Sequence, residues 1–513
     1  MNPLRVTIID MVTSGPTKRG FSRIMNPNYA SIMPQVIAVW AEEMGHAVAY
    51  ECYTGQEDIT SSLPAETDVL FLGAFTRSAQ AAYAISNIYR KAGAVTVLGG
   101  PHARCYPEDS AKYFDYVLGL TDKAEVEHIL TERAPGDPIG QQLSAARQPT
   151  YLPGVRERWK FIAPTIAKAP LLKIVPMIGS MGCPYTCSFC IDSVLPYQTL
   201  GFDQIKEDLR FLKSKLDQPM VGWHDPNFGV RFDDYMTAIE DAVEPGSVRF
   251  VAESSLSLLS EDNLKRMNKS GFVGMLPGIE SWYDYGNKSK ATRHQGLEKV
   301  KLVSDHVNMI LSYIPYVQTN FVLGLDCDEG AEPFELTKKF IDLTPGAYTA
   351  FSLLTCYGRA APMNLDLQRD GRVLPFPFHF LDSNHATNVM PLNYDWPEFY
   401  RLVADLTHYT LSVPRMVKRF RVNSPWTAKW LNLVRAGTSS RAKYQAGIGR
   451  MLREDAHLRG FFQGEHQDIP GFYTNGIKSA LGPLWEALPD GALMHDHNAY
   501  LNAEQCASRV AAE

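Results

Sequence analysis

The chain lacks long hydrophobic runs. None approaches the roughly 20 apolar residues that cross a bilayer as a helix, although 45% of its 513 residues are hydrophobic. Cysteine is sparse as well. The eight cysteines are Cys52, Cys105, Cys183, Cys187, Cys190, Cys327, Cys356 and Cys506. Outside one tight group they stand singly, which excludes the disulfide framework of a small secreted protein. Positive charge is not in excess: 50 Lys and Arg face 56 Asp and Glu, a net charge of −6. The electrostatic footprint of a nucleic-acid binder is therefore missing. Internal repeats and low-complexity tracts are absent. The first residues, Met-Asn-Pro-Leu-Arg-Val, enter a strand pattern directly and lack the layout of a signal peptide. A globular protein of a reducing cytoplasm is expected, with a length that suits two to four domains.

What the chain does have is Gly182-Cys183-Pro-Tyr-Thr-Cys187-Ser-Phe189-Cys190. Closely spaced cysteines let one loop wrap an iron–sulfur cluster. This loop supplies three thiolates, so a four-iron cluster would keep one corner open to a non-protein ligand. Gly182 and Pro184 suit a tight, preset loop. A zinc knuckle is the competing reading, but it needs a fourth Cys or His at ligand spacing, and none follows closely. The loop resembles the C-x3-C-x2-C motif of the radical SAM superfamily, including the aromatic Phe189 before its last cysteine. That resemblance implies a [4Fe-4S] cluster on Cys183, Cys187 and Cys190. Its open iron takes the amino and carboxylate groups of S-adenosylmethionine (SAM), which reduction cleaves to a 5′-deoxyadenosyl radical. An electron donor such as flavodoxin or ferredoxin is implied as a partner.

Ahead of this loop, apolar runs at 4–10, 48–53, 68–73, 94–99 and 115–119 read as buried strands, with helical patterns near 29–44 and 77–92. Strands alternating with helices argue a doubly wound parallel sheet. Ligands bind such sheets at the carboxyl ends of the strands, where Gly73, Gly99, Gly100 and Gly119 fall. Residues 3–132, with the turn Gly99-Gly100-Pro101-His102, resemble the cobalamin-binding Rossmann domain that precedes the barrel in one radical SAM subfamily. The resemblance implies a corrinoid resting on Thr76, Gly99, Gly100, Pro101 and Gly119. Many cobalamin domains carry D-x-H-x-x-G after the first strand. Here that loop is Asp10-Met-Val-Thr-Ser-Gly15, without histidine, so no protein His is expected below the cobalt. The run Asp455-Ala-His457-Leu-Arg-Gly460 lies in a helix-rich stretch without a preceding strand, and reads as coincidence.

Beyond the cysteines, strands are expected at 171–178, 220–228, 248–253, 272–279, 317–325 and 348–354, with a helix at 202–216. Six strand–helix repeats resemble the partial (β/α)6 barrel of the superfamily, whose chemistry sits at the C-terminal strand ends. Gly278-Ile-Glu280-Ser281 resembles the turn that lies along SAM. The same resemblance implies SAM contacts from Phe189, Glu253 and Asn320, and an acidic strand end at Asp225 and Asn227. Asp225, Asn227 and Asn320 could equally be polar caps of their strands, whereas for Glu280 and Ser281 the functional reading is favoured. His224 reads as a structural histidine. Cys356, in Thr-Cys-Tyr-Gly-Arg after the sixth strand, is the candidate catalytic thiol; a free cysteine is more often a small buried hydrophobe.

The expected fold is α/β. A Rossmann-like cobalamin-binding domain (1–135) and a Pro- and Gly-rich linker (136–168) precede a partial (β/α)6 TIM-type barrel (169–358). A mainly helical C-terminal extension (359–513) follows, carrying a short basic run from Arg415 to Arg421 and aromatics such as Trp426 and Trp430. The favoured function is methylation of an unactivated carbon of a small-molecule substrate with cluster, SAM and cobalamin. The rivals are oxidation or cyclisation without methyl transfer, and an N-terminal docking domain that binds no cobalamin.

Overall fold

A computed structural model describes residues 2–16, 25–56, 59, 63–64, 66–133, 140–169, 172–283, 294–423, 425–426, 428–429, 432 and 440–497. Leu171, Trp430 and Cys506 lie outside the described residues.

The N-terminal part is a parallel sheet of six strands: β1 (Arg5–Met11), β2 (Ala47–Tyr53), β3 (Val69–Ala74), β4 (Val95–Gly99), β5 (Tyr116–Leu118) and β6 (Gln141–Leu143). Their order is β2-β1-β3-β4-β5-β6. The chain leaves β1 to one side for β2 and returns on the other for β3, so a topological switch point falls between β1 and β3. A crevice opens there, outside the carboxyl ends. Strands β1 and β3 are buried almost throughout on both faces, because helices such as Ile32–Glu43 and Ala79–Lys91 cover both.

The expected linker differs. Gln141–Leu143 adds the edge strand β6 beside β5, and Val155–Ala167 forms a helix. Short polar Gln-Gln-Leu carries no readable period, so only pairing with β5 makes it a strand.

The second sheet holds β7 (Ile174–Met177), then, past a two-stranded insertion β8 (Ser180–Met181) and β9 (Gln198–Thr199), β10 (Met220–Trp223), β11 (Arg249–Ser255), β12 (Phe272–Glu280), β13 (Tyr316–Leu323) and β14 (Tyr348–Leu353). The order β14-β13-β12-β11-β10-β7 is sequential and every pairing is parallel. Strands β7 and β14 end the sheet without pairing to each other, so the six-strand barrel is open. Apolar residues alternate along β11 (Phe250, Ala252) and turn outward to the helices, while Val251 and Glu253 face a half-open interior.

The C-terminal extension bridges both sheets. Helix Trp396–Thr410 packs beside Ser440–Glu454. Further on, Gln80 and Asn87 of the N-terminal part donate to the carbonyls of Ala492 (3.4 Å) and Ala487 (2.8 Å). One continuous core runs from Ile9 through the barrel to Ala492; a second fills the other face of the first sheet.

Candidate functional site

The cysteine loop hangs from the antiparallel pair β8–β9. Its start is clamped by Asp225, which is buried. Asp225 accepts from Gly179 N–H (3.0 Å), from Ser180 Oγ (2.6 Å) and from the Tyr235 hydroxyl, and burial raises its pKa. Gly182 sits at φ +70°, where a Cβ would collide with the carbonyls of Pro196 and Leu195; only glycine lets the loop close so tightly. The far side is held by Arg104, which donates to Ile191 O (2.7 Å) and faces Asp192 at 3.5 Å, and by Met363 N–H donating to Ser188 O (3.0 Å). The first sheet and the segment after the barrel thus both hold the loop. Cys183 and Cys187 are buried; Cys190 and Phe189 are half-buried. Cys190 N–H donates to Cys187 O at 3.1 Å. Among the described residues, no three His, Cys, Asp or Glu side chains form a ready-made metal-ligand group, and the three thiols of this loop are no exception.

The barrel's inner face carries the residues expected to lie along SAM. Glu253 is exposed, and Gly278, Glu280 and Asn320 are half-buried on neighbouring strands. The β12–β13 register slips between Gly278 and Glu280, and Glu280 adopts φ +68°, a left-handed conformation that is strained for a residue with a Cβ. Its carboxylate folds back over Gly278, where a side chain would strike Oε1. Asn320 Oδ1 accepts from Gln318 Nε2 at 2.9 Å. Ser281 is buried: its Oγ accepts from Tyr283 N–H (3.1 Å) and lies 3.6 Å from Cys327 Sγ. Asn227 is a brace, bonding Ser255 through both ends of its amide.

At the other sheet, a cavity of about 300 Å³ lies against the carboxyl edge of β3, β4 and β5. Gly99, Gly100, Pro101 and Gly119 line it, as do Ile32, Pro34 and Ile37 of helix Ile32–Glu43. Gly100 has φ +89°, and a Cβ there would stand 2.9 Å from Ala74 O. The barrel contributes Ile178, Met181, Leu195 and His224 to the same wall. His224 is open to the cavity, yet the protein around it lowers its pKa to about 4, so it is neutral. Arg104 and these barrel residues were not legible beforehand, because only the docking of the two sheets brings them to one space.

Two expected residues lie elsewhere. Thr76 is buried beneath the turn and faces His102 Nδ1 at 3.4 Å. The Tyr83 hydroxyl bridges His102 Nε2 (2.7 Å) and the Asp109 carboxylate (2.9 Å). Burial lowers the pKa of His102 to about 3, so its imidazole is neutral and this chain of bonds braces the turn. Cys356 is fully buried in a small apolar cluster with Leu325, Leu354, Leu367 and Val389; its backbone is clamped by Asn388. The thiol beside the strand-end residues is instead Cys327. Asp455 caps the helix Ala456–Phe462 through two backbone N–H groups, which accounts for that motif-like run.

A larger cavity, about 990 Å³, opens at the switch point between β1 and β3. It is walled by Met11–Pro16, Phe75, Arg77, His379 and the turn after helix Gly471–Leu481, and shares Phe75 with the first cavity. Gly15 lets the β1 loop press onto Ala480 O.

No family model matches the chain. Two curated proteins of Chlorobaculum tepidum are similar in sequence. Bacteriochlorophyllide d C-12(1)-methyltransferase is 23% identical over 297 residues, 56% of this chain and 63% of that protein. Bacteriochlorophyllide d C-8(2)-methyltransferase is 25% identical over 235 residues, 42% of this chain and 50% of that one. The match therefore spans less than two thirds of either relative. Among solved structures, the cobalamin-dependent SAM radical enzyme OxsB with aqua-cobalamin bound gives a TM-score of 0.55 at 12% identity, covering 95% of this chain and 80% of that one. The radical SAM methyltransferase TsrM from Kitasatospora setae, with cobalamin and a [4Fe-4S] cluster bound, gives 0.52 at 14% identity, covering 76% and 79%. The chain has the fold of cobalamin-dependent radical SAM enzymes.

Proposed function

We propose that this chain is a radical SAM enzyme that binds a [4Fe-4S] cluster, SAM and cobalamin and methylates an unactivated carbon of a small-molecule substrate. One observation supports this most. The carboxyl edges of two parallel sheets meet across one cavity, walled by Gly99, Gly100 and Pro101 on one side and by Met181 and Leu195, which flank the cysteine loop, on the other. When bound, the three groups supply a substrate-activating radical and a methyl donor.

The protein's own part is to bind, orient and exclude water. Cys183, Cys187 and Cys190 would supply three sulfur donors, with no carboxylate or imidazole between them to compete. Their side chains must turn toward a common centre as a cluster enters, while Asp225, Arg104 and Met363 hold the loop around them. Glu253, Glu280 and Asn320 would offer polar atoms to SAM from the open inner face; Gly278 leaves space for the Glu280 carboxylate, Ser281 fixes the turn, and Phe189 would pack beside the cluster. Gly99, Gly100, Pro101 and Gly119 would let a corrinoid lie close to the backbone, with Thr76 bracing the turn from beneath. Val12 stands where a lower-ligand histidine would be, so this loop offers no imidazole nitrogen. The 990 Å³ cavity, whose wall mixes polar and apolar groups, would admit the substrate across Phe75, with Arg77, 3.5 Å from Asp382, and a neutral His379 offering hydrogen bonds to it.

Anaerobic reconstitution followed by iron and cobalt analysis tests the binding: about four irons and one corrinoid per chain are expected. Incubation with SAM and reductant should yield 5′-deoxyadenosine and a product heavier by one methylene. Iron without cobalt would make the first sheet a docking domain. A product lighter by hydrogen would make the reaction an oxidation.

A further inference from the structure

The acidic chain contains one stretch with no acid. The 48 residues from Leu406 to Arg453 hold ten Lys and Arg and not one Asp or Glu, in a sequence where acidic residues outnumber basic ones. Within it lies the helix Val413–Val422. Val413, Val417 and Phe420 recur at i, i+4 and i+7, on one helical face, and they are 66%, 41% and 39% exposed. Trp426, just beyond, is 70% exposed. Lys418 and Arg421 flank this stripe, are exposed and have no ion-pair partner among the described residues. Lys429 lies over the rings of Phe420 (5.0 Å) and Trp426 (5.5 Å). An apolar stripe with Phe and Trp beside unpaired cations is unusual for a surface bathed only in water.

The opposite face fixes where the helix sits. Arg419 is buried, donates to Ala347 O (2.9 Å) and lies over the Tyr348 ring; Asn423 donates to Gly346 O (3.0 Å). Gly346 and Ala347 immediately precede β14, so the helix is bolted to the N-terminal mouth of the barrel. The cysteine loop follows the C-terminal end of β7, at the other mouth. A redox protein that must approach the cysteines has no reason to dock here. A second copy of the chain would bring like charges face to face across a two-fold axis.

We propose that this face is a docking surface for an anionic lipid membrane. The apolar stripe enters the interface, Lys418, Arg421 and Lys429 meet acidic headgroups, and the barrel's catalytic mouth faces away from the bilayer. No helix among the described residues is long and apolar enough to cross a membrane, so the attachment is peripheral.

The test is co-sedimentation of the full chain with phosphatidylcholine vesicles, with and without phosphatidylglycerol, at low and high salt. The expected result is binding at least about tenfold tighter to the phosphatidylglycerol vesicles, weakened by salt. The pairs Val417→Asp with Phe420→Asp, and Lys418→Glu with Arg421→Glu, should each abolish it while 5′-deoxyadenosine formation in solution is unchanged. Hydrogen exchange on the unmodified protein guards against misfolded variants: vesicles should protect 413–426 and leave the cysteine loop unprotected. Equal binding to neutral vesicles, binding to neither, protection elsewhere, or a dimer in solution that these variants dissolve would each overturn the proposal.

Discussion

The two six-stranded parallel sheets differ in where they leave room. In the first, β1 and β3 are buried on both faces, so free space is confined to the carboxyl edge, where the backbone itself lines the cavity. Glycine does that work at Gly100. In the second, one face of β11 and β12 stays half-open, so side chains such as Glu253 and Glu280 can reach inward. The same strand–helix repeat therefore yields an edge left open by missing side chains and a concave face lined by present ones. The physical cause is curvature: a flat sheet is sandwiched by helices, whereas a sheet closing toward a barrel gets helices only outside.

The harshest way to break this comparison is to remove what lies between the two surfaces. Replacing Cys183, Cys187 and Cys190 together by Ala should abolish iron binding and 5′-deoxyadenosine formation. Cluster retention in that triple variant would sink the reading of the barrel mouth. Next comes the edge. Gly100→Ala forces a Cβ to within 2.9 Å of Ala74 O at φ +89°, at a cost of about 1–3 kcal/mol, and should strip cobalt while leaving iron in place. Equal loss of both metals would show that the edge has no separate role.

Glu280 sharpens the contrast. Glu280→Gly relieves the left-handed backbone and should raise stability by about 0.5–1 kcal/mol, read as melting temperature, while 5′-deoxyadenosine formation falls about tenfold or more. Unchanged activity would make the strained carboxylate a structural accident. Cys356→Ala should do the reverse, lowering stability by about 1 kcal/mol and leaving activity intact.

A pH slope tests the buried carboxyls of the two sheets. Burial raises Asp10 in the first sheet to about 6 and Asp328 beside the second to about 7. Each is held by backbone N–H groups, from Ser31, and from Gly324 and Leu325. A carboxyl whose folded pKa lies above its unfolded value favours the protonated folded state, so stability is fullest below about pH 4 and declines as pH rises toward 6 or 7. In thermal melts between pH 5 and 8, Asp10→Asn should flatten that decline by about 1 kcal/mol and Asp328→Asn by about 2–3 kcal/mol, because its decline extends one pH unit higher. A slope unchanged in both would place the titration elsewhere.

Much of this was legible in the chain. Apolar runs of five to eight residues followed by amphipathic helices located nearly every strand. The cysteine spacing, with Gly182 beside it, marked the loop. Other features carried no local signal. Gln141–Leu143 is a strand only because β5 stands beside it. Asp225 and Asn227 read as an acidic strand end that could serve function or merely cap the strand, and their partners, Gly179, Ser180 and Ser255, bind them into the scaffold. Cys356 followed a strand as a catalytic thiol would, but the segment after the barrel folds over it.

By itself, the sequence determined the repeat of parallel strand and helix, the three sulfurs, and the glycines at the strand ends, since periodicity, ligand type and backbone freedom are properties of neighbouring residues. Tertiary structure alone decided which of those ends face one another, which polar residues are spent on bracing, and where the basic helix points. Such choices depend on contacts between residues hundreds of positions apart, such as Arg359 of the post-barrel turn with Glu108 of the helix Pro107–Ser110 in the N-terminal part (2.6 Å).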